Sequence, residues 1–375
     1  MNHTELRQQT ARQLDAAAQQ TSALTAFVGL DGFVDQILHV VDKRESAEKF
    51  TRLPTIAKFA ERLAAAAGRS TNVELVTNLT KLGGNGPIMA NALAAFGLQV
   101  TYLGNLGYPN VHPIFHDFTQ TAEVHSIAQP AFTDALEFDD GKIMMGKIES
   151  LGEIHWPNIV ERFGADRFTA KFSSASLVGF VNWTMITNMS AIWETVQKEI
   201  CPALSGPRRK IFFDLADPEK RTTEDIRRAL DLIVKFEQWF DVILGLNEKE
   251  AGEIGRVLGL NTGDNSREGL CQLALAINER IPTNTLVVHP VAFALTASKG
   301  KTAIVDGPFV AKPKITTGAG DHFNSGFCLG RLLGFDNEAS LLCGVTTSGH
   351  YVRTAKSPSI ADLVSFMHHW PEGSR

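Results

Sequence analysis

The sequence predicts an α/β protein: a three-layer α/β/α sandwich with a mainly parallel central sheet and a small β lid. Three observations lead there. From about residue 170 onward, short apolar runs alternate with longer segments of helical period, the pattern of a parallel sheet flanked by crossover helices. A segment of different texture, with hairpin-like runs, interrupts the pattern between Gly107 and Trp156. The chain has 375 residues, enough for one large core and a smaller companion, since domains average roughly 100–200 residues.

Residues 1–22 read as a polar, Gln- and Ala-rich helical extension without the apolar centre of a signal peptide. Ala26–Leu30 is the first strand, and Asp42–Gly68 a helical excursion, with Phe50, Ile56, Phe59 and Leu63 at helical spacing. Pro87 opens a helix that Gly97 stops, and Val100–Leu103 is the next strand. Ala135–Phe138 and Lys142–Gly146 flank Asp139-Asp140-Gly141 as the arms of a hairpin flank its turn. Three strand–helix units follow: Leu177–Phe180 with Met185–Glu199, Lys210–Asp214 with Thr223–Phe236, and Val242–Leu246 with Asn247–Val257. The expected division is a core of residues 23–106 and 157–375 and a lid of residues 107–156.

Composition removes several classes of function. Charged residues are 21%, the net charge is −5 and no run of Lys or Arg occurs, so a nucleic-acid partner is not expected. No stretch reaches the roughly 20 apolar residues of a membrane span. Cys201, Cys271, Cys328 and Cys343 are scattered, which suits reduced thiols and a cytoplasmic protein. Gly141–Lys147 has the glycine spacing of a phosphate loop, but Ile148 stands where Ser or Thr must bind magnesium. Gly300-Lys301-Thr302 has Leu295 where the first glycine belongs, and His112 and His116 lack the Glu and Cys of a zinc site. No G-x-G-x-x-G follows a strand, which weakens a dehydrogenase reading.

The segment Ile315–Phe327 carries the chemistry. Gly318-Ala319-Gly320 is a small, flexible loop running straight into an apolar helical stretch. Free N–H groups at such a helix start, with the positive end of the dipole, suit a phosphate or its transferring oxygens. Asp321 follows at once, placed to take a proton from an acceptor hydroxyl. In isolation Gly-x-Gly-Asp is equally a turn followed by a helix cap. Its neighbours decide.

Thr316-Thr317-Gly318-Ala319-Gly320-Asp321, with Phe323 and Gly326, resembles the C-terminal signature of the PfkB, or ribokinase-like, carbohydrate kinases. Val28–Asp35, Gly83-Gly84-Asn85-Gly86 with Gly97 and Gly104, and Asn247–Glu250 after an apolar strand resemble further family elements in the expected order. The resemblance spans Val28 to Phe366. It implies a ribokinase-like fold and transfer of the terminal phosphoryl of ATP to a sugar hydroxyl. Asp321 would be the base, with the amides of Gly318, Ala319 and Gly320 as its anion hole. Asp35, Asp31, Gly83, Gly84 and Asn85 would bind the acceptor. Thr317, Asn247, Glu250, Gly344 and His350 would face the nucleotide, Asn247 and Glu250 reaching Mg2+ through water. The partner would be a small sugar or nucleoside, and the family's lids pair across a homodimer.

The pattern departs from the family at Ile88, where it carries Asn, and over Val287–Ala294, where a Thr or Ser, a Leu and a Gly normally cover the nucleotide. His289, Asp214 and Gly245–Glu248 resemble the ADP-dependent sugar kinases of the same superfamily, so ADP stays open as donor. A nucleoside kinase and a non-catalytic sugar-binding regulator are the remaining alternatives.

Overall fold

The computed structural model describes residues 2–371. Its strands are β1 (Thr25–Leu30), β2 (Phe33–Arg44), β3 (Phe50–Arg52), β4 (Leu75–Gly83), β5 (Gln99–Gly104), β6 (Glu123–Ser126), β7 (Ala131–Phe138), β8 (Gly141–Lys147), β9 (Leu177–Phe180), β10 (Arg209–Asp214), β11 (Phe240–Leu246), β12 (Thr285–Val288), β13 (Phe293–Ser298) and β14 (Lys301–Asp306). Nine form one sheet in the order β14-β13-β12-β11-β10-β9-β1-β5-β6. It is parallel from β12 to β6, with β13 and β14 added antiparallel at one edge.

Both faces of this sheet are covered, so its strands are apolar almost without interruption. Alternation sorts them: Phe213, Leu244 and Val288 belong to one buried cluster and Phe212, Ile243 and Val287 to the other. The first cluster is aromatic, with Phe168, Phe172, Trp193 and Phe236 from one helical layer packed beside Phe240 of β11. The second receives Phe323, Phe327, Leu341 and Leu342 from the helices Ala319–Leu332 and Asn337–Thr354. The three-layer sandwich is therefore as expected.

The lid is built differently from the expectation. The smaller sheet joins β3, β2, β7 and β8, with β4 also paired to β2, so much of it comes from residues 33–83. β2 and β4 escaped notice because β4 is largely exposed, with Thr77, Asn78, Thr80 and Lys81 interleaved among its apolar residues. Residues 107–126 belong instead to the core: Phe115 and Phe118 are buried and β6 extends the main sheet beside β5. The helical excursion reduces to Ile56–Ala65, with Phe50 on β3. The N-terminal segment is no appendage either. Its helix His3–Ala17 buries Leu6, Ala11 and Leu14 in the second cluster, and Arg7 lies 5.0 Å over the Trp370 ring.

Candidate active site

Asp31 follows β1, Asn182 follows β9 and Asp214 ends β10. All three lie at the carboxyl ends of parallel strands, where open α/β sheets bind ligands. Asp31 is fully buried and accepts from the amides of Asn85 (3.0 Å) and Gly86 (2.8 Å) and from the side chain of Asn182 (2.8 Å). The carboxylate thereby satisfies two orphan donors at the start of helix Asn85–Ala95 and meets its positive dipole. Burial still pushes the group up to about 6, against those hydrogen bonds. Asp31, expected among the acceptor contacts, thus has both oxygens committed to the helix start.

Asp35 is on β2, directly across from Lys81 of β4, and its Oδ2 lies 3.3 Å from Lys81 Nζ. Asp35 is 4% exposed, so the pairing offsets the cost of burying its charge. Gly83 makes room for it, because a Cβ there would overlap the Asp35 carboxyl. Gly84 has φ +95°, a conformation open to glycine that turns the chain into the helix. Asn85 then directs its side chain the other way and donates to Asp321 Oδ1 at 3.0 Å.

Asp321 is the third residue of helix Ala319–Leu332, whose N-cap is Gly318 at φ +93°. The Ala319 amide closes a turn onto the Thr316 carbonyl at 3.1 Å, so it is engaged rather than open as expected. Among the described residues, the Gly320 amide has no protein acceptor, whereas the Asp321 amide faces its own carboxyl. Burial raises the Asp321 carboxyl to about 8 and the nearby charge of Asp31 adds to this, while Asn85 and Lys81 favour ionisation.

Beside these amides opens a cavity of about 400 Å³. Its lining combines polar residues, Asn247, His289 and Thr316, with Gly320 and the apolar Pro308, Phe309, Val310, Pro313, Val345 and Val352. Gly344 and His350 lie off this wall: Gly344 packs on the Phe323 ring, and His350 meets Phe366 and Thr354. The helix face that lines the cavity carries Val345, Ser348, Gly349 and Val352, at spacings of three and four. Thr317 gives only its carbonyl, to the Tyr351 hydroxyl at 3.0 Å. His289 lies against Phe323, ring centroids 4.8 Å apart, and burial lowers it to about 4, so it is neutral.

Asn247 and Glu250 form a capping box: Asn247 Oδ1 accepts from the Glu250 amide at 2.9 Å and Glu250 Oε2 from the Asn247 amide at 2.8 Å. Glu250 Oε1 accepts from the Asp217 amide at 2.9 Å. Direct coordination by Glu250 would displace these bonds. Asp214 accepts from the Ala216 amide (2.9 Å) and Asn324 (3.1 Å), and burial, then Glu250 and Asp321, hold it well above the usual carboxylate range. No three ligating side chains converge among the described residues. Buried negative charge with few free oxygens fits a divalent ion that keeps its waters and sits on nucleotide phosphates.

The motifs located Asp321, Asn85 and Asp35 but missed Lys81, Asn182, Asn324 and Tyr351. Asn182 was within reach, since it stands just past an apolar strand of a parallel sheet.

A family model for prokaryotic ketohexokinase matches residues 3–370. The ketohexokinase of Haloferax volcanii is 29% identical over 340 residues, covering 90% of this chain and 89% of the relative. Among solved structures, Arabidopsis thaliana ribokinase complexed with ribose and ATP superimposes with a TM-score of 0.61 at 16% identity, over 92% of this chain and 98% of that one. Escherichia coli phosphofructokinase-2 does so at 0.60 and 12%, over 92% and 99%. These two establish the ribokinase-like fold, and the match over nearly the whole length establishes the rest: the chain belongs to the prokaryotic ketohexokinase family and is a sugar kinase, a phosphotransferase with an alcohol acceptor.

Proposed function

We propose that the protein transfers the terminal phosphoryl of ATP to a hydroxyl of a ketohexose, with Asp321 as the base. The observation that carries this is the position of Asp321: bonded to Asn85 on the acceptor side and next in the chain to Gly320, whose free amide belongs to a residue lining the cavity. The acceptor would lie between the lid and the sheet, its hydroxyls donating to Asp35. Asp321 removes the proton as the acceptor oxygen attacks phosphorus, and the Gly320 amide stabilises the charge that develops on the transferring group. The base of the nucleotide suits the apolar residues of the cavity lining, and its phosphates the part beside Gly320. Mg2+, when bound, neutralises phosphate charge; Asp214, Glu250 and Asn247 would hold it through water.

Two further features belong to the same reading. The lid exposes Leu79 (49%) and Met144 (50%) on one face and Met145 (54%) on the other, apolar surface that supports homodimerisation through the lid. Cys201, Cys328 and Cys343 are buried free thiols, as suits a reducing cytoplasm. A coupled assay with Mg2+ and either ATP or ADP, against ketohexoses, aldoses, sugar phosphates and nucleosides, tests the assignment. It predicts turnover with ATP and a ketohexose; preference for ADP or a nucleoside would contradict it.

A further inference from the structure

The glycine loop is held from outside by side chains that do not line the cavity. Gly318 has a left-handed backbone and Gly320 carries no side chain, so the loop has little stiffness of its own. A transition-state donor must nevertheless be fixed before the reaction, because reorientation during transfer would forfeit much of its effect. The carbonyl of Gly318 accepts twice from His322: from its amide at 3.1 Å and from its ring Nδ1 at 2.7 Å. A carbonyl only accepts, so Nδ1 carries the hydrogen. Nε2 is then the acceptor, and the Ser357 hydroxyl stands 2.9 Å from it. Asn91 in turn donates to Ser357 Oγ at 3.4 Å. The ring lies parallel to Tyr351, centroids 3.6 Å apart and planes 13° apart, and the Tyr351 hydroxyl holds the Thr317 carbonyl. Two successive carbonyls of the loop are therefore clamped, and with them the planes of two peptides, since each peptide unit is rigid.

We propose that His322, seconded by Tyr351, is a positioning residue for phosphoryl transfer: by clamping the Gly318 carbonyl, as Tyr351 clamps that of Thr317, it fixes the helix start and aims the Gly320 amide at the transferring group. This rests on the kinase reading of the Gly318–Asp321 loop. The role needs a neutral ring with one donor and one acceptor, and burial favours that state by lowering His322 to about 4. His322 is 2% exposed, and burial alone would be served by any planar side chain of similar size.

His322→Phe keeps an aromatic ring against Tyr351 and removes the donor, whereas His322→Asn restores an N–H near the position of Nδ1. The expected result is a kcat at least about tenfold lower for His322→Phe, with KM for sugar and ATP changed less than about twofold, and recovery of most of that loss in His322→Asn. Wild-type kcat in His322→Phe, or a loss in His322→Asn as large as in His322→Phe, would overturn the proposal. Should His322→Phe not fold, Tyr351→Phe decides: reduced kcat at wild-type Tm supports the clamp, and wild-type kcat overturns it. Asp321→Asn is run alongside; full turnover in that variant would contradict the kinase reading of the loop itself, independently of His322.

Discussion

Asn85 and Asp321, 236 positions apart in the chain, meet side chain to side chain at 3.0 Å. One belongs to the helix start pinned by Asp31 and the other to the helix start capped by Gly318. The contact thus ties the acceptor side of the site to the phosphoryl side, and it lowers the proton affinity of a carboxyl that burial raises.

Asn85→Ala should therefore make Asp321 a harder acid to ionise. A hydrogen bond to a charged group is worth about 1.5–3 kcal/mol, which corresponds to roughly one to two pH units. The acidic limb of kcat/KM for the sugar, expected near pH 8 in the wild type from the raised Asp321 carboxyl, should move upward by about that amount. A pH–rate profile of both proteins checks this; an unmoved limb would detach Asn85 from the ionisation of Asp321.

The same carboxyl should make stability fall with pH. Its folded value of about 8 lies above the ordinary 3.8, so between those values the folded state binds more protons than the unfolded one. Stability is highest near or below pH 4 on this account and declines up to pH 8, with Asp31 contributing to the lower part of the range. Asp321→Asn should flatten the decline and be more stable than wild type at pH 8, by on the order of a few kcal/mol. Thermal melts of both proteins from pH 5 to 8.5 give the comparison; parallel curves would contradict it.

Lys81→Met should act on the sugar and spare the nucleotide. It leaves Asp35 buried without its partner at 3.3 Å, and the group is then held less firmly. KM for the sugar should rise about tenfold with KM for ATP nearly unchanged. Steady-state kinetics with each substrate varied in turn would reveal any equal rise in both.

Gly83→Ala tests the space that Asp35 needs. The added methyl would overlap the Asp35 carboxyl, so the acid must leave its place beside Lys81. Calorimetric titration should show sugar binding weakened by at least about tenfold while ATP binding persists.

The parallel core was legible because each β–α unit declares itself locally. Leu177–Phe180 runs four residues with every side chain buried, and Val242–Leu246 stops at Asn247, the cap of the next helix. Of the lid, the β7–β8 hairpin was legible from its turn, but β2, β3 and β4 were not, since β2 begins three residues after β1 and β4 exposes most of its side chains; their sheet exists through pairing between distant segments rather than through any local period. Asp321, Asn85 and Asp35 were legible by motif. Lys81 and Tyr351 were not, because their roles depend on register across β2 and β4 and on which face of the helix Asn337–Thr354 meets the loop. Gly344 and His350 were not distinguished from the cavity-lining Val345, Ser348, Gly349 and Val352 for the same reason, since the sequence leaves the rotation of that helix open.

Asp321→Asn, assayed for single-turnover phosphoryl transfer at pH 8 with sugar and ATP binding measured in the same preparations, tests the central claim most directly. A base that contributes about 10²–10⁴ in rate predicts a loss of that size in transfer, with both binding constants within about threefold of wild type. Transfer at a rate near that of the wild type would remove Asp321 as the base and with it the mechanism built around it.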